Sequence, residues 1–374
     1  MNTSERLLAA WRCQEVDYVP LVLGFWDQRR HPLATWTDER ARLAWYRERG
    51  WDTYVSLGAP VTAAPEVEVE TRFEERDGRR VLYQRWHTPA GDLEERLWAT
   101  EDWIRELPAI CPLGDDFRTS RYIEPPLKTR EDLATLPYLF PLESDADRQA
   151  LTAAHERARA LADEFAVPLV VGLPAGLDWL IWLFRPQEII MRAALEPEFA
   201  QDLMAPINAA YEQRLELALE LGVDAVLRRG WYESTDFWSP TLYAQLAQPA
   251  LLREVKLAHQ TGTPVIYQMD SGVMPLLKEL AAVPFDCLLG VDPATSAPDL
   301  PEIRRRLPGK ALWGGISGPL HLGRGTPEQV ERAVERAFAD CGWEGFILGP
   351  GVGLRYDWPT ENLLACDRAW RRLR

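Results

Sequence analysis

The sequence predicts an α/β protein of the (β/α)8 class, a TIM barrel, with an antiparallel β meander inserted in it. Two observations carry that reading. Eight short apolar runs alternate with stretches of helical period along the 374 residues. One stretch interrupts the alternation with hairpin turns instead. An open doubly wound sheet is the alternative for the same βα alternation.

The strand-like runs are Val19 to Phe25, Thr53 to Leu57, Pro168 to Leu173, Val223 to Leu227, Pro264 to Met269, Phe285 to Gly290, Ala311 to Ile316 and Gly345 to Gly349. Each is continuously apolar, as strands covered on both faces require. Between them, Asp38 to Arg49, Asp147 to Phe165, Glu198 to Leu221, Pro240 to Gln260, Val273 to Ala281 and Pro327 to Asp340 repeat apolar residues every three or four positions. In the longest, Phe199, Leu203, Ile207, Tyr211 and Leu215 mark one stripe. Ser239-Pro240 and Thr326-Pro327 read as a cap plus a first-turn proline; Gly222 and Gly262 read as stops. The meander comprises Val67 to Glu75, Arg79 to Thr88 and Leu93 to Ala99, parted by Asp77-Gly78 and Ala90-Gly91-Asp92. A single barrel domain over 1–374 with an insertion at 60–125 accommodates every element.

Composition removes several function classes. The net charge of −15 repels phosphate backbones and anionic membranes, so no nucleic acid and no membrane partner is expected. No apolar run is long enough to span a bilayer, and the N-terminus has no signal-peptide pattern, so a cytoplasmic location is expected. Five scattered cysteines form no C-x-x-C, which speaks against a disulfide framework or a zinc knuckle. None of the four lysines ends a strand-like run, as Schiff-base chemistry would want. Phosphate-loop, H-E-x-x-H and G-x-S-x-G motifs are missing. Gly349-Pro-Gly351-Val-Gly353 lies too near the C-terminus to open a dinucleotide-binding unit.

Barrel enzymes place their chemistry at the C-terminal ends of the strands. That rule selects Trp26, Arg30 and His31 after the first strand and Trp179 after the third. It selects Arg229, Tyr232 and Glu233 after the fourth, Gln268 and Asp270 at the end of the fifth, and Tyr356 after the eighth. Asp270 and Glu233 are the acid/base candidates; the others are candidate substrate contacts. Strand alternation lets only one of Arg228 and Arg229 point inward, which leaves the other for an ion pair. Asp270 precedes Ser271-Gly272 and could equally cap a helix.

The order of features resembles the uroporphyrinogen decarboxylase superfamily. Ser4 to Trp11 followed by Val16-Asp17-Tyr18-Val19-Pro20 resembles its opening helix and V-D-x-V-P strand. Glu124 to Leu133 resembles its connecting segment, and Gly222-Val-Asp224, Ser239-Pro240, Gly325 to Val330 and Pro359 to Asn362 match in order. The resemblance implies a (β/α)8 barrel. The meander around Thr88 to Asp92 is similar to that of the corrinoid-dependent methyltransferase branch. That branch binds zinc through H-x-C-G and a later cysteine; the matching positions here are Met269, Ser271 and Val352. None is a good zinc ligand, so no metal is expected there. The segment Trp26 to Pro32 is out of register with the decarboxylases' arginine loop.

The resemblance implies one-carbon transfer between a small acidic or aromatic substrate and a corrinoid carried by a partner protein. Decarboxylation of a carboxylate-bearing, porphyrinogen-like substrate is the alternative, and a non-catalytic barrel that binds a tetrapyrrole or corrinoid protein is a third reading. No tightly bound cofactor is expected, and a homodimer is left open.

Overall fold

The computed structural model describes residues 1–25, 31–100, 113–114, 116–295, 298–355 and 357–374. Among them, β1 (Val55–Gly58), β6 (Leu169–Leu173), β7 (Ala225–Arg229), β8 (Val265–Gln268), β9 (Cys287–Val291), β10 (Ala311–Ile316) and β11 (Phe346–Pro350) form one parallel sheet in that order. These are seven of the eight expected strands. The first expected strand, Val19 to Phe25, is reduced to isolated bridges: Leu21 with Leu348, Val22 with Asp52 and Phe25 with Leu354. Pro20 has no N–H to give to a ladder, although its carbonyl accepts from Leu348 N at 2.9 Å.

The insertion forms a second sheet. β2 (Glu68–Arg76), β3 (Arg79–Thr88) and β4 (Gly91–Trp98) run antiparallel, and β5 (Tyr122–Glu124) adds to the edge of β4. The Asp77-Gly78 turn has φ of 53° and 68°. Two left-handed residues in succession are what a tight two-residue hairpin demands, and Asp-Gly supplies them cheaply. β5 was not foreseen; three half-buried residues leave no readable alternation.

Most expected helices appear within two residues of their expected ends, including Glu39–Arg49, Asp145–Phe165, Pro197–Glu220 and Pro327–Cys341. Ser239 Oγ accepts from Leu242 N, and Thr326 forms a capping box with Gln329. The stretch expected as one helix from Pro240 to Gln260 contains a π-helical segment, Tyr243–Ala247.

The side chains of the parallel strands divide into two layers. Val170, Ala225, Ile266, Cys287, Ala311, Trp313 and Ile347 face the interior, where Leu7, Ala10 and Trp11 of the N-terminal helix α1 (Thr3–Trp11) plug the floor. The alternate residues pack outward beneath the helices. Arg6 fixes the plug. Its Nη1 meets the buried Asp52 at 2.7 Å, and its Nε meets Asp17 at 2.6 Å. Asp52 N in turn donates to Leu21 O at 2.9 Å, so one guanidinium joins α1, the first bridge segment and the approach to β1. Arg6→Met leaves Asp52 buried without its counter-ion and is expected to cost about 3–5 kcal/mol in urea unfolding. Arg6→Met combined with Asp52→Asn is expected to recover much of that loss.

Candidate functional site

The mouth is built around a buried arginine. Arg228, on the outward side of β7, is fully buried and pairs with Glu233 at 3.0 Å and Glu254 at 2.8 Å. Glu233 also accepts from Leu177 N at 2.9 Å and from the Tyr267 hydroxyl. Gly176 and Gly230 lie so close to this knot that a Cβ on either would strike Arg228, Glu233 or Tyr267. The loops after β6 and β7 are therefore pinned to one another.

That pinning sets Asp178. Its carboxylate is fully buried at the start of a short helix, Asp178–Leu183, and accepts from Tyr232 N at 2.8 Å and Trp231 N at 3.3 Å. Burial, and then the Glu233 charge, push its pKa up to about 7 despite Arg229 and Arg228. Asp270, just past the end of β8, has its pKa raised well above the usual carboxylate range. Burial is the main cause, followed by the nearby Asp178; Asp292 adds to it, while a hydrogen bond with Gln268 and the charge of Arg229 oppose it. Asp270 Oδ1 is shielded from solvent and has no hydrogen-bond partner. Asp270 and Asp292 both line a cleft of about 210 Å³ with Asp236 and Ser271, and the Ser271 hydroxyl donates to Asp236.

Arg229 points to the opposite side of β7 from Arg228, as strand alternation requires. Its Nη2 meets Asp116 at 2.9 Å, and its guanidinium lies 4.1 Å from the Trp231 ring centroid. Asp116 comes from the insertion and was not foreseen. Its other oxygen accepts from Trp182 Nε1 at 3.0 Å.

Below the mouth lies a cavity of about 440 Å³, with Gln268, Gly351 and Val352 at its upper end and Trp313 lower down. Gln268 Nε2 donates to Gly351 O at 3.2 Å. This cavity exists because inward positions that could carry bulk hold Gly24 and Ser56 instead.

The structure brings Arg229, Tyr232, Gln268 and Asp270 to the mouth and its cavity together with Asp178 and Asp292, which also follow strands, and adds Asp116. Three candidates do not face the mouth. Trp179 is buried in the core against Phe140 and Trp182, with Nε1 donating to Pro174 O at 2.6 Å. It belongs to a helix that turns its indole inward, so it does not wall the mouth. His31 is buried behind Phe25; its Nδ1 accepts from Leu33 N at 3.1 Å and its Nε2 lies 3.2 Å from Trp358 O. Burial lowers its pKa, and both ring nitrogens serve local structure. Glu233 is likewise closed off from the mouth, with its oxygens taken by Arg228, Tyr267 and Leu177. Trp26, Arg30 and Tyr356 lie outside the described residues.

The three positions matching the zinc-binding motif have other surroundings. Met269 is buried in the outer core, Ser271 is bonded to Asp236, and Val352 lines the cavity. Among the described residues, no group of three or more His, Cys, Asp or Glu side chains could hold a metal ion.

The uroporphyrinogen decarboxylase (URO-D) family profile matches residues 116–373. The chain belongs to the URO-D family. No curated protein matches it in sequence. Among solved structures, a methyltransferase from Methanosarcina mazei is similar over 100% of this chain and 99% of its own, with a TM-score of 0.60 and 16% identity. The two share a TIM-barrel-like fold. A B12-independent methionine synthase from Shewanella sp. W3-18-1, solved with selenomethionine, covers 58% of this chain and 64% of its own at 13% identity and a TM-score of 0.39. Among the described residues, no helix is long and apolar enough to cross a membrane.

The electrostatics of this URO-D mouth can be read directly. A raised carboxyl pKa means that the folded state holds its proton more tightly than the unfolded chain. The associated stability is therefore full below the unfolded value and is lost as pH rises through about 7 for Asp178. At neutral pH, infrared spectra are expected to show a protonated-carboxyl C=O band that disappears in Asp270→Asn. A second band is expected to fade as pH rises through about 7 and to be missing from Asp178→Asn.

Proposed function

We propose that this URO-D protein is a methyltransferase-like enzyme that moves a one-carbon group between a small acidic or aromatic substrate and a corrinoid carried by a partner protein. The observation that carries the reading is the buried Asp270 carboxyl, which lines a cleft of about 210 Å³ with an unpartnered oxygen and a raised proton affinity, near Asp178, whose pKa is pushed up to about 7. We also read the bridges at Leu21 and Val22 as the seam that closes a (β/α)8 barrel in a single domain, with the meander as its insertion.

A methyl group bound to oxygen or nitrogen leaves readily only if the heteroatom it departs from gains a proton. A neutral carboxyl next to the reacting bond gives that proton and is left as a carboxylate, whose charge takes the place of the more basic anion that the departing heteroatom would otherwise carry. Asp270 is the donor in this scheme, and Asp178 can replace the lost proton. Burial, and then the charges of Asp178 and Asp292, raise the proton affinity of Asp270. Arg229 and Tyr232 shape the rim, Gln268 orients the substrate from the end of β8, and Glu233 acts at a distance by holding Arg228 and the Asp178 loop. A corrin macrocycle exceeds a cavity of about 440 Å³, so its carrier would have to present it from outside the mouth. When bound, the corrinoid supplies the cobalt centre that takes or gives the one-carbon group.

Decarboxylation would use the same acid to protonate the carbanion left by carbon dioxide. It also needs a guanidinium that clamps a substrate carboxylate. Both arginines of β7 are already paired, Arg228 with Glu233 and Glu254 and Arg229 with Asp116, which favours methyl transfer.

The test is a panel of O- and N-methylated small molecules incubated with the protein and reduced free cobalamin, read by cobalamin absorbance, with carbon dioxide measured in parallel. Methyl transfer is expected, and Asp270→Asn is expected to slow it by about 10²–10⁴-fold while circular dichroism stays unchanged. Release of carbon dioxide without transfer would establish the decarboxylase reading. Neither product, with every compound bound as well by Asp270→Asn as by the natural protein, would leave a non-catalytic barrel.

A further inference from the structure

The cavity beneath the mouth has a composition of its own. Its walls include Phe25, Trp36, Tyr46, Leu227, Leu289 and Trp313. Among the described residues, only two charged residues line it, Glu39 and Arg42, and they neutralise each other. Arg42 Nε and Nη2 meet the two Glu39 oxygens at 2.8 and 2.6 Å. The remaining Arg42 donors go to Thr53 Oγ1 and Tyr54 O, both at 2.8 Å. Neither of these two charges is left to receive an ionic group.

Space in this region is created by the choice of residues. Barrel interiors are normally filled by layers of branched side chains. Here Gly24 lines the cavity, and a Cβ added to it would meet nothing within 4 Å. Gly24 has no left-handed φ, so no backbone requirement for glycine is visible. Ser56, on β1, is exposed although the residues on either side of it are buried, because it faces the same space.

We propose that this cavity is a binding site for an uncharged aromatic group, and that the substrate of the enzyme is therefore a neutral arene whose reacting substituent reaches up past Gln268. The proposal rests on the methyl-transfer reading for its link to catalysis, but the binding site stands on the cavity alone. The walls also carry neutral polar groups, Thr53, Ser56 and Gln268, but an ionised carboxylate or ammonium would find no free counter-charge among the described residues, which is strongly unfavourable. Aromatic rings on several sides reward a flat π-system over a saturated ring of the same size. The mouth holds the proton donors, and the cavity holds the inert body of the molecule.

Fluorine NMR titrations of the full chain test this without any turnover. The probes are para-fluoroanisole, para-fluorobenzoate, para-fluorobenzylamine and fluorocyclohexane. The neutral arene is expected to bind at least about tenfold more tightly than either ionic probe, and about fivefold more tightly than the saturated ring. Gly24→Val and Ser56→Leu fill the cavity and are each expected to weaken binding of para-fluoroanisole about tenfold or more, with an unchanged melting temperature. Equal or tighter binding of a charged probe, equal binding of fluorocyclohexane, or no binding of para-fluoroanisole would overturn the proposal. So would undiminished binding by either filled variant. If a filled variant does not fold, the probe series on the natural sequence still decides. Binding that follows this pattern without methyl transfer would retain the aromatic site and discard the catalytic reading; transfer without the pattern would do the reverse.

Discussion

Arg228 is fully buried, and the loops that make the mouth are fastened to it. Its guanidinium meets Glu233 from the loop after β7 and Glu254 from the helix Gln248–Gln260. Through Glu233 it also holds Leu177 and Tyr267, which belong to the loop after β6 and to β8. Burial disfavours a charged arginine, while the two carboxylates favour it strongly enough to raise its pKa well above the usual value. Such an assembly is costly to break in part, because any one missing partner strands a charge away from water. Its strength lies in geometry: three consecutive strands present their C-terminal ends in one fixed arrangement.

The acidity of the mouth follows from that arrangement. Once Leu177 is tied to Glu233, Asp178 has to face the backbone N–H groups of Trp231 and Tyr232, out of contact with water. A second carboxyl at Asp270 then sits in the field of Asp178 and Asp292, with one guanidinium nearby whose charge Asp116 already answers. In such surroundings the proton is the least expensive counter-charge. The raised proton affinities thus come from crowding carboxylates into a dry space, with no unusual residue type involved.

The insertion has a part in this that its sequence does not announce. Arg118 is fully buried and pairs with Glu95, also fully buried, which anchors the short helix Asp116–Thr119 to β4. That anchor puts Asp116 between Trp182 and Arg229. The insertion is therefore coupled to the end of β7 through a carboxylate at the rim. The interior follows a similar division of labour. Trp11 and Leu7 plug the lower end, so the strands are free to carry small residues above it.

Local patterns in the sequence determined the elements: seven buried strands, the Asp77-Gly78 hairpin, the capped helices at Ser239 and Thr326, and the family signature in their order. These are near-neighbour effects of period, turn chemistry and capping, and they need no tertiary information. The same reasoning put Arg229, Gln268 and Asp270 at the mouth, because strand ends and alternation are local too. Only the tertiary structure decided which polar residues face the mouth and which are locked behind it. Glu233 and Trp179 follow strands just as Asp270 does, yet one is consumed by Arg228 and the other by the aromatic core. Asp116 is more than a hundred positions from Arg229, and no spacing rule connects them. Asp178 reads in sequence as a strand-end acid within an apolar run; its neighbours in space, supplied by other strands, give it an altered proton affinity. Pairing partners and desolvation are properties of the packed chain, and one sequence records them only through the fold that it specifies.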